Sequence, residues 1–166
     1  MNARKIYSTS DATPSKFRPE GRIDVAARGN TLIYTATGPF NEELVTSLIE
    51  INTPIIQDIS SNGPWIDLTI MTASALASPA TLARFTAYLD DMAKLELAPL
   101  LTGWVMAPDL EGRRVMAPLY ARCFSTAGLR FSVFEDLASA EEWVVHELES
   151  LAQSTVLQRF LSSRKT

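Results

Sequence analysis

Three side chains in this sequence could support nucleophilic catalysis: the hydroxyl of Ser78, the thiol of Cys123 and the imidazole of His146. A serine or cysteine nucleophile needs a base beside it, usually a histidine. No G-x-S-x-G elbow surrounds Ser78, and His146 lies far along the chain in the last predicted helix, where we expect a partly covered structural residue. Cys123 lies among apolar residues, where free thiols are usually buried and inert. The spacing of these residues therefore gives no support to nucleophilic catalysis, and a small hydrolase using Ser78 or Cys123 is the alternative reading.

Metal, cofactor and nucleic-acid sites are not indicated. One cysteine and one histidine cannot supply the ligand set of a structural zinc site. The glycine patterns of dinucleotide-binding and phosphate-binding loops are missing. The net charge of -4 argues against a nucleic-acid partner. We expect no metal, no cofactor and no nucleic acid.

The stretch "TASALASPAT" places Ser78 directly before Pro79. A serine followed by proline is typical of a helix start, where the hydroxyl accepts hydrogen bonds from the first turn and proline suits the first helical position. We therefore predict that Ser78 is a helix cap.

Arg113 and Arg114 follow the predicted strand "LLTGWVMA", in the first turns of the next helix. Ligands of open α/β sheets usually bind where the carboxyl ends of the strands converge. A helix N-terminus with two arginines could hold an anion there. The alternative is that both arginines are solvated surface residues.

Length and composition indicate one ordinary globular domain, since the chain has 166 residues, of which 46% are apolar and 20% charged. No apolar run approaches the ~20 residues that a membrane-spanning helix needs. The single cysteine fits a reducing compartment, so we predict a cytoplasmic location. Residues 1 to 21 are basic and rich in hydroxyls and are predicted to be a flexible leader, with a transit peptide as the alternative. The domain is predicted over 22–161, and 162–166 as a polar tail.

The first ordered unit, "RIDVAARGNTLIYTATG", reads as two strands joined at Gly29-Asn30. Pairing across that turn puts Ala27 opposite Leu32, Val25 opposite Tyr34 and Ile23 opposite Ala36, which makes one face apolar. Helical and strand patterns then alternate, in the order β-β-α-β-α-β-α-β-α. This order predicts an α/β fold with a mixed sheet: an N-terminal antiparallel hairpin, then parallel strands, with about four helices.

Several helices carry more apolar surface than a single stripe, most clearly the helix predicted over 109–127. Pro54 and Pro118 lie inside helical patterns and should kink or split them, which leaves room for a cleft. Met106 and Met116 would supply an adaptable lining near Arg113 and Arg114. The surplus surface could be covered by a thick core, a ligand, a partner protein or a second copy in a homodimer.

The order of elements, the strand "IDLT" before a loop and helix, and the tail "LRFSVFEDLASAEEWV" resemble the SpoIIAA-like proteins, relatives of the STAS domain of anti-sigma factor antagonists. The matching positions are Phe134, Asp136, Ala140 and Trp143, and the resemblance covers roughly residues 22 to 150. It implies a regulatory or binding module rather than an enzyme. STAS antagonists are switched on a serine in an Asp-Ser-x-Gly-type stretch, which "TASALASPAT" lacks.

The resemblance and the residue patterns together predict a non-enzymatic STAS-like module. Its partner would be a regulatory protein or a small, lipid-like ligand with an anionic end. The ligand would contact Ser78, Met106, Arg113, Arg114 and Met116.

Overall fold

The computed structural model describes residues 5–14 and 16–163. These residues form a six-stranded sheet and four α-helices, with a short 3₁₀ turn at Thr9–Asp11. The strands are β1 (Ile6–Ser8), β2 (Arg22–Arg28), β3 (Thr31–Thr37), β4 (Ile66–Thr72), β5 (Leu101–Val105) and β6 (Phe131–Phe134). The helices are α1 (Glu42–Ser61), α2 (Pro79–Lys94), α3 (Arg113–Thr126) and α4 (Leu137–Ser163).

The sheet has its strands in chain order, β1 to β6. β1, β2 and β3 are antiparallel, and β3 to β6 are parallel. This confirms the predicted α/β class with a mixed sheet and four helices. The hairpin register is also confirmed, since Val25 pairs with Tyr34 and Ile23 pairs with Ala36.

The helices cover the two faces of the sheet unequally. The parallel strands β4, β5 and β6 are added to the sheet one after another in the same direction. Right-handed crossovers between them therefore place α1, α2 and α3 on one face of the sheet. The larger core lies under these three helices and includes Leu44, Leu48 and Phe124. A smaller core lies on the opposite face, where Ala140 of α4 packs against Leu68 and other outward residues of β4 and β5.

α1 is one helix, and the proline inside it does not split it. The Asn41 side-chain oxygen accepts a hydrogen bond from the Leu44 N–H at 3.0 Å, which caps the helix. Pro54 lies inside the helix, yet α1 runs unbroken from Glu42 to Ser61. Buried residues before and after the proline, such as Leu48 and Ile55, hold both halves against the same core.

The structure also defines where α3 and α4 begin. α3 begins at Arg113 instead of near Asp109, because Gly112 adopts a left-handed conformation (φ 74°) and serves as its N-cap. α4 begins at Leu137, and the Asp136 carboxylate accepts a hydrogen bond from the Ser139 N–H at 2.8 Å. Asp136 is therefore the cap of this last helix.

Part of the segment predicted to be a leader packs on the domain. Ile6–Ser8 forms β1 at the edge of the sheet, antiparallel to β2. Further along, Thr13 donates hydrogen bonds from its backbone N–H (3.0 Å) and hydroxyl (2.7 Å) to the Glu50 carboxylate of α1. These anchors are backbone and polar hydrogen bonds to distant parts of the chain, which explains why apolar periodicity did not reveal them. Residues 1–4 of the predicted leader and 164–166 of the predicted tail lie outside the described residues.

The loops after β3 and β4 are tied to each other at the carboxyl edge of the sheet. The Phe40 N–H donates to the Leu76 carbonyl at 2.9 Å, and the Gly38 N–H donates to the Thr72 carbonyl at 3.2 Å. A Cβ atom on Gly38 would lie 2.0 Å from the backbone oxygen of Ser74. The close approach of the two loops therefore depends on a residue without a side chain at this position.

We expect Gly38→Ala to lower the free energy of unfolding by about 2–4 kcal/mol, because backbone rather than a side-chain tip would have to move. Gly29→Ala is the control, because Gly29 also has a left-handed conformation (φ 59°) but nothing lies within 4 Å of its Cβ position. The alanine side chain would meet no clash there, so the left-handed backbone alone should lower the free energy of unfolding, by about 1 kcal/mol. Urea unfolding of both variants measures the difference. Equal losses would show that the two loops are free to separate.

Candidate functional site

A cavity of about 80 Å³ lies between the sheet and helices α1 and α2. Its walls are mainly apolar and aromatic, with Leu48 and Phe85 among the helix residues that line it. Four of its polar side chains come from strands, and the others come from α1, α2, α3 and the residue just before β4. The residues that line it and carry polar side-chain atoms are Tyr34, Asn52, Trp65, Asp67, Thr69, Thr81, Tyr88, Trp104 and Tyr120.

Strand alternation explains which residues of β4 reach the cavity. β4 is covered on both faces, so its residues divide between two cores. Ile66 and Leu68 belong to the core under α4, whereas Asp67 and Thr69 line the cavity on the opposite face. The parallel register places Tyr34 of β3 beside Thr69. A strand that reads as almost continuously apolar thus brings one carboxyl group to the inner face of the sheet.

Asp67 is the most unusual ionisable group of the cavity. It lies between Leu32 and Thr102 of the neighbouring strands and is only partly accessible, on the face that lines the cavity. Burial raises the pKa of Asp67 to about 7, although the Thr69 hydroxyl, which donates to its Oδ1 at 2.8 Å, favours the ionised form. Within the described chain, no lysine, arginine or histidine forms an ion pair with it.

Asn52 of α1 completes a polar cluster with two tyrosines. It occupies a core position between Leu48 and Ile56, one helical turn from each, and is 3% exposed. Its amide nitrogen donates to the Tyr88 hydroxyl at 3.3 Å, and its side chain also interacts with Tyr34. Its Oδ1 has no hydrogen-bond partner among the described residues. Either orientation of the amide leaves one of its polar ends without a protein partner.

The two tyrosine hydroxyls are held neutral. Burial raises the pKa of Tyr34 well above its ordinary value, and the nearby negative charge of Asp67 raises it further. Burial also raises the pKa of Tyr88 to about 12; Asn52 partly opposes this, and Asp67 adds to it. Both hydroxyls therefore act as hydrogen-bonding groups at neutral pH.

An aromatic cluster forms one wall of the cavity. The ring of Phe85 lies 5.9 Å from that of Trp104 and 6.4 Å from that of Tyr88, measured between centroids. Tyr120 donates its hydroxyl hydrogen to the Ala75 carbonyl at 2.9 Å, and Trp65 donates its indole N–H to Leu97 at 3.0 Å. The buried indole N–H of Trp104, in contrast, finds no acceptor in the described part of the chain.

The sequence-predicted ligand residues lie elsewhere. Ser78 caps α2, because its Oγ accepts a hydrogen bond from the Thr81 N–H at 3.1 Å. Met106 and Met116 are buried in the larger core. Arg113 forms an ion pair with Glu135 at 3.6 Å, and Arg114 is exposed. None of these five residues lines the cavity, and their role in ligand binding stays a prediction.

The residues considered for nucleophilic chemistry are also apart from one another. Cys123 is buried, and its thiol lies 3.3 Å from the Leu119 carbonyl of its own helix. His146 lies on α4, which covers the opposite face of the sheet, and its side chain is 79% exposed. That exposure differs from the partly covered position that the sequence indicated. Within residues 5–14 and 16–163, no group of three or more potential metal ligands comes together.

Sequence reasoning missed Asp67 and Asn52, although each leaves a weak signal. Asp67 is an acidic residue inside "WIDLTIM", a run too apolar to be a surface strand. Asn52 interrupts the row Leu48, Asn52, Ile56 at intervals of four residues, so it had to face the core. A polar residue that periodicity places in a core needs a partner, and that requirement is the signal.

We expect Ser78→Ala to lower the free energy of unfolding by about 1 kcal/mol, because the Thr81 N–H loses its acceptor. Ligand binding in the cavity should be unaffected, since Ser78 does not line it. Ser78→Thr retains the hydroxyl and is the matched control. A loss in Ser78→Thr as large as that in Ser78→Ala would show that the hydroxyl does not stabilise the helix.

Asp67 should make the stability of the protein depend on pH. Its pKa is about 7 when folded and 3.8 when unperturbed, so between these values the folded state keeps a proton that the unfolded state has released. Stability contributed by the neutral carboxyl is therefore lost as pH rises from about 4 to about 7. The maximal loss that corresponds to these two pKa values is ~4 kcal/mol.

We expect the free energy of unfolding of Asp67→Asn, relative to that of the wild type, to rise by about 2–4 kcal/mol between pH 4 and pH 8. Urea unfolding at each pH measures this difference. Asp58→Asn, at an exposed position of α1, is the control and should follow wild type throughout. Parallel pH profiles for wild type and Asp67→Asn would show that Asp67 titrates normally in the folded protein.

Comparison with known proteins assigns neither a family nor a function to this chain. No protein-family model matches the chain, and no curated protein and no solved structure matches it either. No helix in the described ranges has the length and apolar character needed to cross a bilayer. Any functional assignment therefore depends on the cavity and on the side chains that line it.

Proposed function

We propose that this chain is a non-enzymatic, STAS-like binding module whose ligand is a small, largely apolar molecule held in the cavity beneath α1 and α2. The observation that carries the proposal is the pair of buried polar atoms on the cavity walls, Asn52 Oδ1 and Trp104 Nε1, that have no partner among the described residues. A buried polar atom without a partner costs about 1–3 kcal/mol. A ligand that satisfies these atoms would recover that cost.

The dimensions of the cavity support a small organic ligand. About 80 Å³ is several times the ~10–15 Å³ that one water molecule needs. It is about half of the ~150 Å³ of an apolar cavity that accommodates benzene. A branched aliphatic group of a few carbons fits this space, and larger ligands would require side chains to move.

Partly exposed residues indicate where a ligand would enter. Ile23 of β2 and Leu82 and Phe85 of α2 line the cavity and remain partly exposed, whereas most other lining residues are buried. Rotation of the Leu82 or Phe85 side chain would open a path between α2 and β2. The five residues predicted from sequence are not on this path, so an anionic head group held by Arg113 and Arg114 would lie outside the cavity.

The hydrolase alternative gains no support from the arrangement of the side chains. The Ser78 oxygen is engaged by the first turn of α2, and the Cys123 thiol is directed to backbone carbonyls. A regulatory protein partner, as the STAS resemblance implies, remains the other candidate for this module.

The direct test is a thermal-shift screen of small apolar compounds with the purified protein, together with native mass spectrometry for a retained ligand. A compound at 100 times its dissociation constant should stabilise the protein by about 2.7 kcal/mol. Ala36→Leu places extra side-chain volume in the cavity and should abolish binding, because Ala36 lines it. Ala83→Leu adds the same volume at an exposed position of α2 and should leave binding intact.

The proposal fails if no compound stabilises the wild-type protein and no ligand is retained. It also fails if Ala36→Leu folds normally and binds as tightly as Ala83→Leu, since the ligand would then lie outside the cavity.

A further inference from the structure

We propose, on the basis of the proposed function, that the occupant of the cavity is a small apolar amine whose protonated nitrogen is held by Asp67 and Asn52. The first observation is the balance of acceptors and donors. The cavity walls present the Asp67 carboxyl group, the unpartnered Oδ1 of Asn52 and the hydroxyl oxygens of Tyr34 and Tyr88. The indole N–H of Trp104 is the exception among the described lining groups, since it is a donor that an ammonium group would leave without an acceptor. An ammonium group has three hydrogens to donate, which is the complement of such a cluster.

The second observation concerns charge. The titratable side chains that line the cavity are Asp67 of β4, Tyr34 of β3, Tyr88 of α2 and Tyr120 of α3; α1, β2 and β5 contribute none. A buried carboxylate without a cation is costly, and one that gains a cation and retains its hydrogen bonds is stabilised. A ligand ammonium would take the place of the proton that Asp67 otherwise holds. A ligand carboxylate would instead meet a like charge.

The aromatic lining supports the same ligand class. Tyr34, Tyr88, Phe85 and Trp104 line the same cavity as Asp67, and the two tyrosines are close enough to feel its charge. Aromatic faces attract an ammonium group, and the attraction is largest where water is excluded. The apolar remainder of the cavity, near Leu48 and Leu44, would accept the hydrocarbon part of the amine. A hydrated inorganic cation lacks that part and would leave this surface uncovered.

The test compares three probes that share one isobutyl group: isobutylamine, isobutanol and isovalerate. Dissociation constants are measured by calorimetry at pH 8, where Asp67 can ionise and the amine is protonated. We expect isobutylamine to bind about 10–100-fold more tightly than the alcohol, because it forms hydrogen bonds between charged groups. Isovalerate should bind most weakly. Lowering the pH to 5 should reduce the affinity for the amine and leave that for the alcohol unchanged.

Two variants assign the preference to the carboxyl group. In Asp67→Asn the tenfold or greater preference for the amine should disappear while binding of the alcohol persists. In Asp58→Asn, at the exposed site on α1, the preference should remain. If Asp67→Asn fails to fold, the wild-type comparison of head groups and its pH dependence still decide the question.

The outcomes separate the two proposals. If the alcohol binds as tightly as the amine, or if the preference survives in Asp67→Asn, the amine proposal is overturned and the cavity still binds apolar molecules. If none of the three probes binds and the wider screen is also negative, the binding function itself is overturned.

Discussion

The arrangement of this protein depends on one constraint: β4 is enclosed on all sides. It has a parallel neighbour on each edge, the core under α1 and α2 on one face and α4 on the other. A strand in that position can satisfy its backbone only through its neighbours and its side chains only through the two cores. Everything that β4 carries on its inner face, including Asp67, is therefore fixed in position by the whole fold.

That constraint gives Asp67 its chemical character. The same carboxyl group on a surface strand would be hydrated and ionised, whereas here its only hydrogen-bond donor among the described residues is the Thr69 hydroxyl. α1 places Asn52 on the wall of the same cavity, at a position where an apolar residue would pack better. Two polar residues at core positions, facing one cavity, lower stability. Under the proposed function, the same few side chains would also recognise the ligand.

The sequence predicted those parts of the fold that depend on local pattern. The hairpin register follows from apolar alternation about Gly29-Asn30, and the α2 cap follows from Ser78-Pro79. β1 was not predicted, because three residues with one partly buried tyrosine carry too little periodicity. A cleft was predicted near Met106 and Met116, but the position of this cavity was not, because it depends on how α1 and α2 pack on the sheet. The predicted ligand residues were placed at the strand ends by a general rule of α/β folds, whereas the two unpartnered polar atoms of the cavity, on Asn52 and Trp104, lie beneath the helices.

The short edge strand β1 has a consequence for how copies of the protein meet. β2 has seven residues, and an unprotected strand of that length would offer its backbone to a neighbouring molecule. β1 occupies the middle of β2, from Asp24 to Ala26, and is itself only three residues long. Lys5 stands next to it, with its ammonium group 4.8 Å from the centre of the Tyr7 ring. A three-residue strand beside a charge is a poor template for further strand pairing. β1 therefore protects this edge of the sheet against pairing with strands of other molecules.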